Sequence, residues 1–150
     1  MTAPASTTAQ TSLVLKRVFS APREKVFEAW SNPEMLKQWL APAGYSTPEA
    51  EVDLRLGGRY RVVMRHDEKG AVHTAVGEYQ EITPPERLVF TWRWEEGDQH
   101  EMLITIDFRE QGGSTEMIFK HERFASMEDR TSHEQGWTSS FEKLSALVSA

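Results

Sequence analysis

Apolar and polar residues change period three times along the chain, and each period predicts a different element. Leu13–Phe19 is rich in apolar and β-branched residues and predicts a first strand, stopped at Ser20-Ala21-Pro22. Val26, Phe27 and Trp30 then fall on one helical face. Pro22 suits that helix start, where a missing N–H has no partner to lose. Asn32-Pro33-Glu34 repeats the signal with a side-chain cap, a proline and an acid near the positive end of the dipole, so Leu36, Trp39 and Leu40 predict a second short helix.

From residue 50 the period is two. Ala50, Val52 and Leu54 alternate with Glu51, Asp53 and Arg55; past Gly57-Gly58, Tyr60, Val62 and Met64 alternate with Arg59, Arg61 and Arg65. The arginines are expected to pair with Glu51 and Asp53 across strands. Asp67–Gly70 reads as a hairpin turn and Val72–Ile82 as a strand. Leu88, Phe90, Trp92 and Trp94 mark the next strand, closed by a turn over Glu95–Asp98. Met102, Ile104, Ile106 and Phe108 mark another, and Thr115, Met117, Phe119 and His121 the last. The short connections imply an antiparallel meander with one covered face and one wet face.

The final segment returns to helical spacing. Ser126 caps it, and His133, Trp137, Ser140/Phe141, Leu144 and Leu147/Val148 trace one face. A helix of about 24 residues spans roughly 35 Å, enough to cross a whole sheet. The element order predicts an α+β fold in which a curved antiparallel sheet of six to seven strands wraps a long C-terminal helix, with two short helices after strand one.

Composition narrows the function. The 150 residues fit one domain, expected over residues 12–150 after a disordered tail at Met1–Thr11. The net charge of −6, from 23 acids and 17 bases, disfavours nucleic-acid binding and a basic membrane-binding face. There are no cysteines, which removes disulfides, thiolate catalysis and cysteine-ligated zinc and suits a cytoplasmic location. No secretory signal and no run of about 20 apolar residues occur.

The aromatic residues are unevenly placed. Tyr60, Met64, Phe90, Trp92, Trp94, Met117, Phe119, Trp137 and Phe141 share the inward face of sheet and helix, with His121 in step with Met117 and Phe119. A curved sheet and a straight helix diverge at one end, leaving a gap that these side chains fill as plain core or that a small ligand occupies. Gly136, before Trp137, reads as a close helix–sheet approach in preference to a tolerated helix glycine. His133-Glu134 lacks a second histidine at 137, so the zinc-protease pattern fails, and no phosphate loop, dinucleotide glycine pattern or nucleophile elbow is present. No metal and no cofactor is expected. Acid pairs such as Glu49/Glu51 and Glu95/Glu96 read as solvated positions.

An ordered set of segments resembles the Aha-type branch (activator of heat-shock protein 90 ATPase homologue) of the START-like, or SRPBCC, superfamily. It comprises Phe19–Trp30, Asn32-Pro33-Glu34 with Trp39 and Pro42, Asp53-Leu54-Arg55 with Gly57-Gly58-Arg59-Tyr60, Gly77-Glu78-Tyr79 with Ile82–Leu88, and Thr115, His121 and Gly136-Trp137. The resemblance covers about residues 13–149 and implies the helix-grip fold, whose members commonly enclose hydrophobic ligands. Three functions are therefore expected to compete. The first is non-catalytic binding of a small apolar or aromatic molecule by the ten residues named above. The second is a cyclase or hydrolase acting on a polyketide-like substrate, with His121 as acid–base. The third, resting on family analogy alone, is a chaperone co-regulator or stress-response module; the resemblance implies that the eukaryotic activators use an additional N-terminal domain, for which no room is expected in these 150 residues. A homodimer through an exposed sheet edge is compatible with the pattern, and nothing in the sequence selects it.

Overall fold

The computed structural model describes residues 11–97 and 100–149. The tail expected over Met1–Thr11 lies outside these residues except for Thr11, as does Asp98 of the expected turn. The chain runs β1 (Ser12–Phe19), α1 (Arg23–Ser31), α2 (Pro33–Trp39), β2 (Tyr45–Val52), β3 (Arg59–His66), β4 (Val72–Thr83), β5 (Arg87–Trp94), β6 (Met102–Gln111), β7 (Ser114–Glu122) and α3 (Met127–Val148). The strands form one antiparallel seven-stranded sheet in the order β1-β7-β6-β5-β4-β3-β2. It curls into a half-barrel around α3, which is the helix-grip α+β arrangement.

Local chemistry explains the boundaries. Asn32 accepts the Glu34 N–H at 2.9 Å and so starts α2 one residue after α1 ends. Ser126 accepts the Asp129 N–H at 3.1 Å at the start of α3. β2 to β7 follow as hairpins, and β1 then docks antiparallel on β7, with Leu13 opposite His121 and Leu15 opposite Phe119. The excursion through α1 and α2 places both short helices over one end of the sheet's concave face, where α1 meets β6 and β7 and α2 meets β2 and α3.

The core is the concave face plus what covers it. Val62, Leu88, Ile104, Ile106, Phe108, Met117 and Phe119 come from the sheet; Val26, Trp30, Trp39, Phe141 and Leu144 come from the helices. Burying each large apolar side chain favours folding by about 1.5–3 kcal/mol before ordering costs. Trp30 sits at the centre. Its ring lies 4.6 Å from that of Trp39, 5.8 Å from Trp137 and 6.0 Å from Phe119, and its N–H reaches the Met117 sulfur at 3.3 Å.

Packing requires a glycine at position 77. A Cβ on Gly77 in β4 would overlap the Thr91 carbonyl oxygen and lie 2.6 Å from the Tyr60 hydroxyl, which itself donates to that carbonyl. Only a residue without a side chain lets Tyr60 cross the strand there.

The structure corrects three details of the sequence reading. β5 is buried at every position from Leu88 to Trp92, where alternation predicted a wet face. Thr91, on that second face, satisfies its hydroxyl by accepting the Glu78 N–H at 2.9 Å. Leu54 lies past the end of β2 and is 40% exposed, because the chain turns at Asp53, whose N–H donates to the Arg59 carbonyl. The arginines also choose other partners. Arg61 reaches across β4 to Glu95 at 3.2 Å, with Glu49 at 3.9 Å, and Asp53 is taken by Arg55 at 2.8 Å. These are exposed pairs of about 1 kcal/mol or less.

Candidate functional site: a cleft between β5, α3 and the α2–β2 loop

Sheet and helix diverge toward the N-terminal half of α3, leaving a cleft of about 720 Å³. Met64 of β3, His73 of β4 and Trp92 and Trp94 of β5 form one wall, continued by Glu96 and Gly97. The opposite wall is one face of α3: Ser132, His133, Gly136, Trp137 and Ser140, with Gln135 and Ser139 beside them. Leu40, Pro42, Ala43 and Tyr45 close the third side. That loop is latched to the helix: Ser139 accepts the Ala43 N–H at 2.6 Å, and the Lys143 ammonium donates to the Pro42 and Tyr45 carbonyls at 3.2 and 3.1 Å.

Of the residues expected to line a pocket, the structure brings Met64, Trp92, Trp94 and Trp137 to the cleft. Phe90, Met117, Phe119 and Phe141 lie deeper, because Trp30 from α1 fills the space between them. Tyr60 is packed between Tyr79, Phe90 and Trp92. His121 is fully buried behind Trp137 and is not part of the cleft wall. Sequence reasoning did not single out Tyr45, His73, Glu96, His133 or Ser140 as site residues. His133, Gly136, Trp137 and Ser140 stand at i, i+3, i+4 and i+7, a spacing that marks one wall of α3 once Trp137 is chosen.

Gly136 also proves to serve the opposite purpose from a close approach. A Cβ built on it meets nothing within 4 Å. The missing side chain leaves open volume in the cleft, at the cost of about 1 kcal/mol in helix propensity relative to alanine.

Tryptophan N–H groups organise the polar atoms. Trp39, which is not part of the cleft wall, donates to the Ala29 carbonyl at 2.9 Å. Trp137 donates to Nδ1 of His121 at 3.1 Å, which leaves the imidazole proton on Nε2. Trp94 donates to Nε2 of His133 at 3.3 Å, while Nδ1 of His133 donates to the Asp129 carbonyl at 2.8 Å. The two imidazoles are therefore opposite tautomers, with ring centres 5.2 Å apart. Burial pushes the pKa of His121 well below the usual histidine value, and the neighbouring His133 adds to the effect. Burial also lowers His133, against the opposing pull of the Asp129 carbonyl and carboxylate. Both rings are held neutral. Among the described residues, Nε2 of His121 and Nε1 of Trp92 are the buried side-chain nitrogens without a hydrogen-bond partner.

Glu96 is the one Asp, Glu, Lys or Arg among the described residues of the cleft wall. Partial burial raises its pKa, but hydrogen bonds from the Thr74 and Glu96 backbone N–H groups and the Thr74 hydroxyl outweigh that and hold it below the usual carboxylate range. Its Oε1 accepts the Thr74 N–H at 3.0 Å. Among the described residues, no group of His, Asp or Glu is arranged to hold a metal ion, and no helix is long and apolar enough to cross a membrane.

No curated protein matches the chain. Solved structures do. Protein CV1439 from Chromobacterium violaceum is 30% identical, with 93% of this chain and 98% of that chain covered and a TM-score of 0.88. The AHSA1 protein from Silicibacter pomeroyi is 31% identical over 90% of this chain and 95% of its own, with a TM-score of 0.80. Protein NE0264 from Nitrosomonas europaea is 27% identical over 93% and 95%, with a TM-score of 0.79. The sequence model of one family, described as activator of Hsp90 ATPase homolog 1-like protein, matches residues 20–149. With the family pattern running through nearly every element described above, the chain belongs to the activator of Hsp90 ATPase homolog 1-like family.

Proposed function

We propose that the protein binds one small apolar or aromatic molecule in the cleft between β5 and α3 and does so without transforming it. The observation that carries this reading is the cleft itself. Its volume of about 720 Å³ falls within the range of small-molecule sites. Trp92, Trp94, Trp137 and Tyr45 supply flat apolar surface, and Ser132, Gln135 and Ser140 supply a few polar groups to orient a ligand. An unfilled helix position, Gly136, keeps the space free.

The same geometry argues against a histidine acid–base. His121 is held neutral behind Trp137, its Nδ1 is occupied, and it does not reach the cleft wall. His133 reaches the cleft, but both its nitrogens are committed, to Trp94 and to Asp129. A general base needs a free nitrogen within hydrogen-bond reach of its substrate.

Titration with 2-naphthylmethanol, followed by the indole N–H signals in ¹H–¹⁵N NMR spectra, tests the reading. Saturable shifts at Trp92, Trp94 and Trp137, with Trp39 unmoved, are expected. Uniform small shifts that do not saturate, or shifts that include Trp39 equally, would refute it.

A further inference from the structure

The electrostatics of the cleft select among apolar ligands. Glu96 supplies an ionised carboxylate in the wall, and among the described residues no lysine or arginine forms an ion pair with it. The cation tied to the neighbouring loop, Lys143, directs its ammonium to two backbone carbonyls and is not part of the wall. The rings beside Glu96 form a continuous aromatic series: His73 stands edge-on to Trp94 at 6.1 Å, Tyr45 lies 6.2 Å from His73, and Trp92 lies 5.5 Å from Trp94. A carboxylate beside aromatic faces attracts a cationic nitrogen twice, by direct charge and through the ring quadrupoles.

The cleft offers an anion little in return. The N–H groups of Trp94, Trp137 and His133 are already donated within the protein, the N–H of Trp92 lacks a partner but is buried, and no lysine or arginine stands among the described residues of the wall. The chain as a whole carries a net charge of −6, which adds a repulsive background for anionic ligands at low ionic strength.

We propose that the ligand is an amine: an apolar or aromatic body that lies against the surface formed by Trp92, Trp94 and Trp137, carrying a protonated nitrogen that meets Glu96 at the rim. This rests on the binding reading above and narrows it from any small apolar molecule to a cationic one. Carboxylate amphiphiles of the same shape are discriminated against by the same group.

The test uses three ligands of one shape and three charges: 2-naphthylmethylamine, 2-naphthylmethanol and 2-naphthoate. Affinities are measured by calorimetry near neutral pH at low salt, for the full chain and for Glu96→Gln. Because Glu96 is exposed at the rim, the amine is expected to bind only about three- to five-fold tighter than the alcohol, with the naphthoate weakest. Glu96→Gln should bring the amine to the affinity of the alcohol measured on the same variant, and added salt should narrow the gap in the unsubstituted protein. An alcohol that binds as tightly as the amine, or an amine preference that survives Glu96→Gln, overturns the charge assignment while leaving the cleft as a binding site. Absence of saturable binding for all three ligands overturns the cleft reading and this inference together.

Discussion

Acid should destabilise this protein well before its carboxylates titrate, and His121 is the reason. The imidazole is fully buried, accepts the Trp137 N–H on Nδ1, and lies 4.3 Å from the Phe124 ring. Burial lowers its pKa in the folded state, so the unfolded chain binds more protons as pH falls through the ordinary histidine value of 6.5. The sign follows from linkage: the neutral ring's contribution is fully present above pH 6.5 and is lost progressively below it, down to the folded pKa. Between those limits the loss approaches about 1.4 kcal/mol per pH unit for one proton. One unit below 6.5 the protein should therefore be less stable through His121 by on the order of 1 kcal/mol, against a typical margin of about 5–15 kcal/mol. His133 adds a smaller loss of the same sign, because the Asp129 carbonyl and carboxylate offset part of its burial. Protonation at its Nε2 would also set an N–H against the N–H of Trp94. Urea unfolding followed by circular dichroism, across the interval above the carboxylate range, measures this. His121→Gln should remove most of the slope and His133→Gln a minor part. Stability that is flat across the interval, or a slope undiminished in His121→Gln, would refute the assignment.

Other substitutions follow from single contacts. Gly77→Ala should cost about 3 kcal/mol or more in urea unfolding, since its Cβ would overlap the Thr91 carbonyl and crowd Tyr60. Thr115→Val keeps shape but leaves the Ala21 carbonyl, now bonded at 2.8 Å, without its donor; a loss of about 1–2 kcal/mol is expected in the same assay. Ser126→Ala removes the cap that accepts the Asp129 N–H and should cost about 1 kcal/mol, with amide exchange accelerated in the first turn of α3.

The fold was legible in the sequence because its signals are local. Period-two alternation, the Asn32-Pro33 restart and the Ser126 cap each sit within a few residues; both helix starts appear where the pattern put them, and the strands do too, except that Leu54 lies past β2 and β5 is buried on both faces. The site was legible only in part. Trp92, Trp94, Trp137 and Met64 reach the cleft because they lie on the inward faces that alternation reveals. Phe119 and Phe141 lie on the same faces, yet a single side chain from another element, Trp30, covers them, and no periodicity within β7 or α3 encodes that. Glu96 was read as a solvated turn acid; its place beside Trp94 and His73 depends on how the end of β5 meets β4, where its carboxylate accepts the Thr74 N–H. Gly136 shows the same limit from the other side, since the absence of a side chain looks alike in sequence whether it permits contact or preserves space.

Whether the cleft takes a ligand is therefore best measured at Gly136. In Gly136→Leu the new side chain enters the volume that a Cβ finds empty, while helix propensity improves by about 1 kcal/mol. Gly136→Leu should be at least as stable to urea as the original and show no saturable 2-naphthylmethanol binding by calorimetry. A Gly136→Leu protein that is equally stable and binds the probe with unchanged affinity would contradict the binding reading.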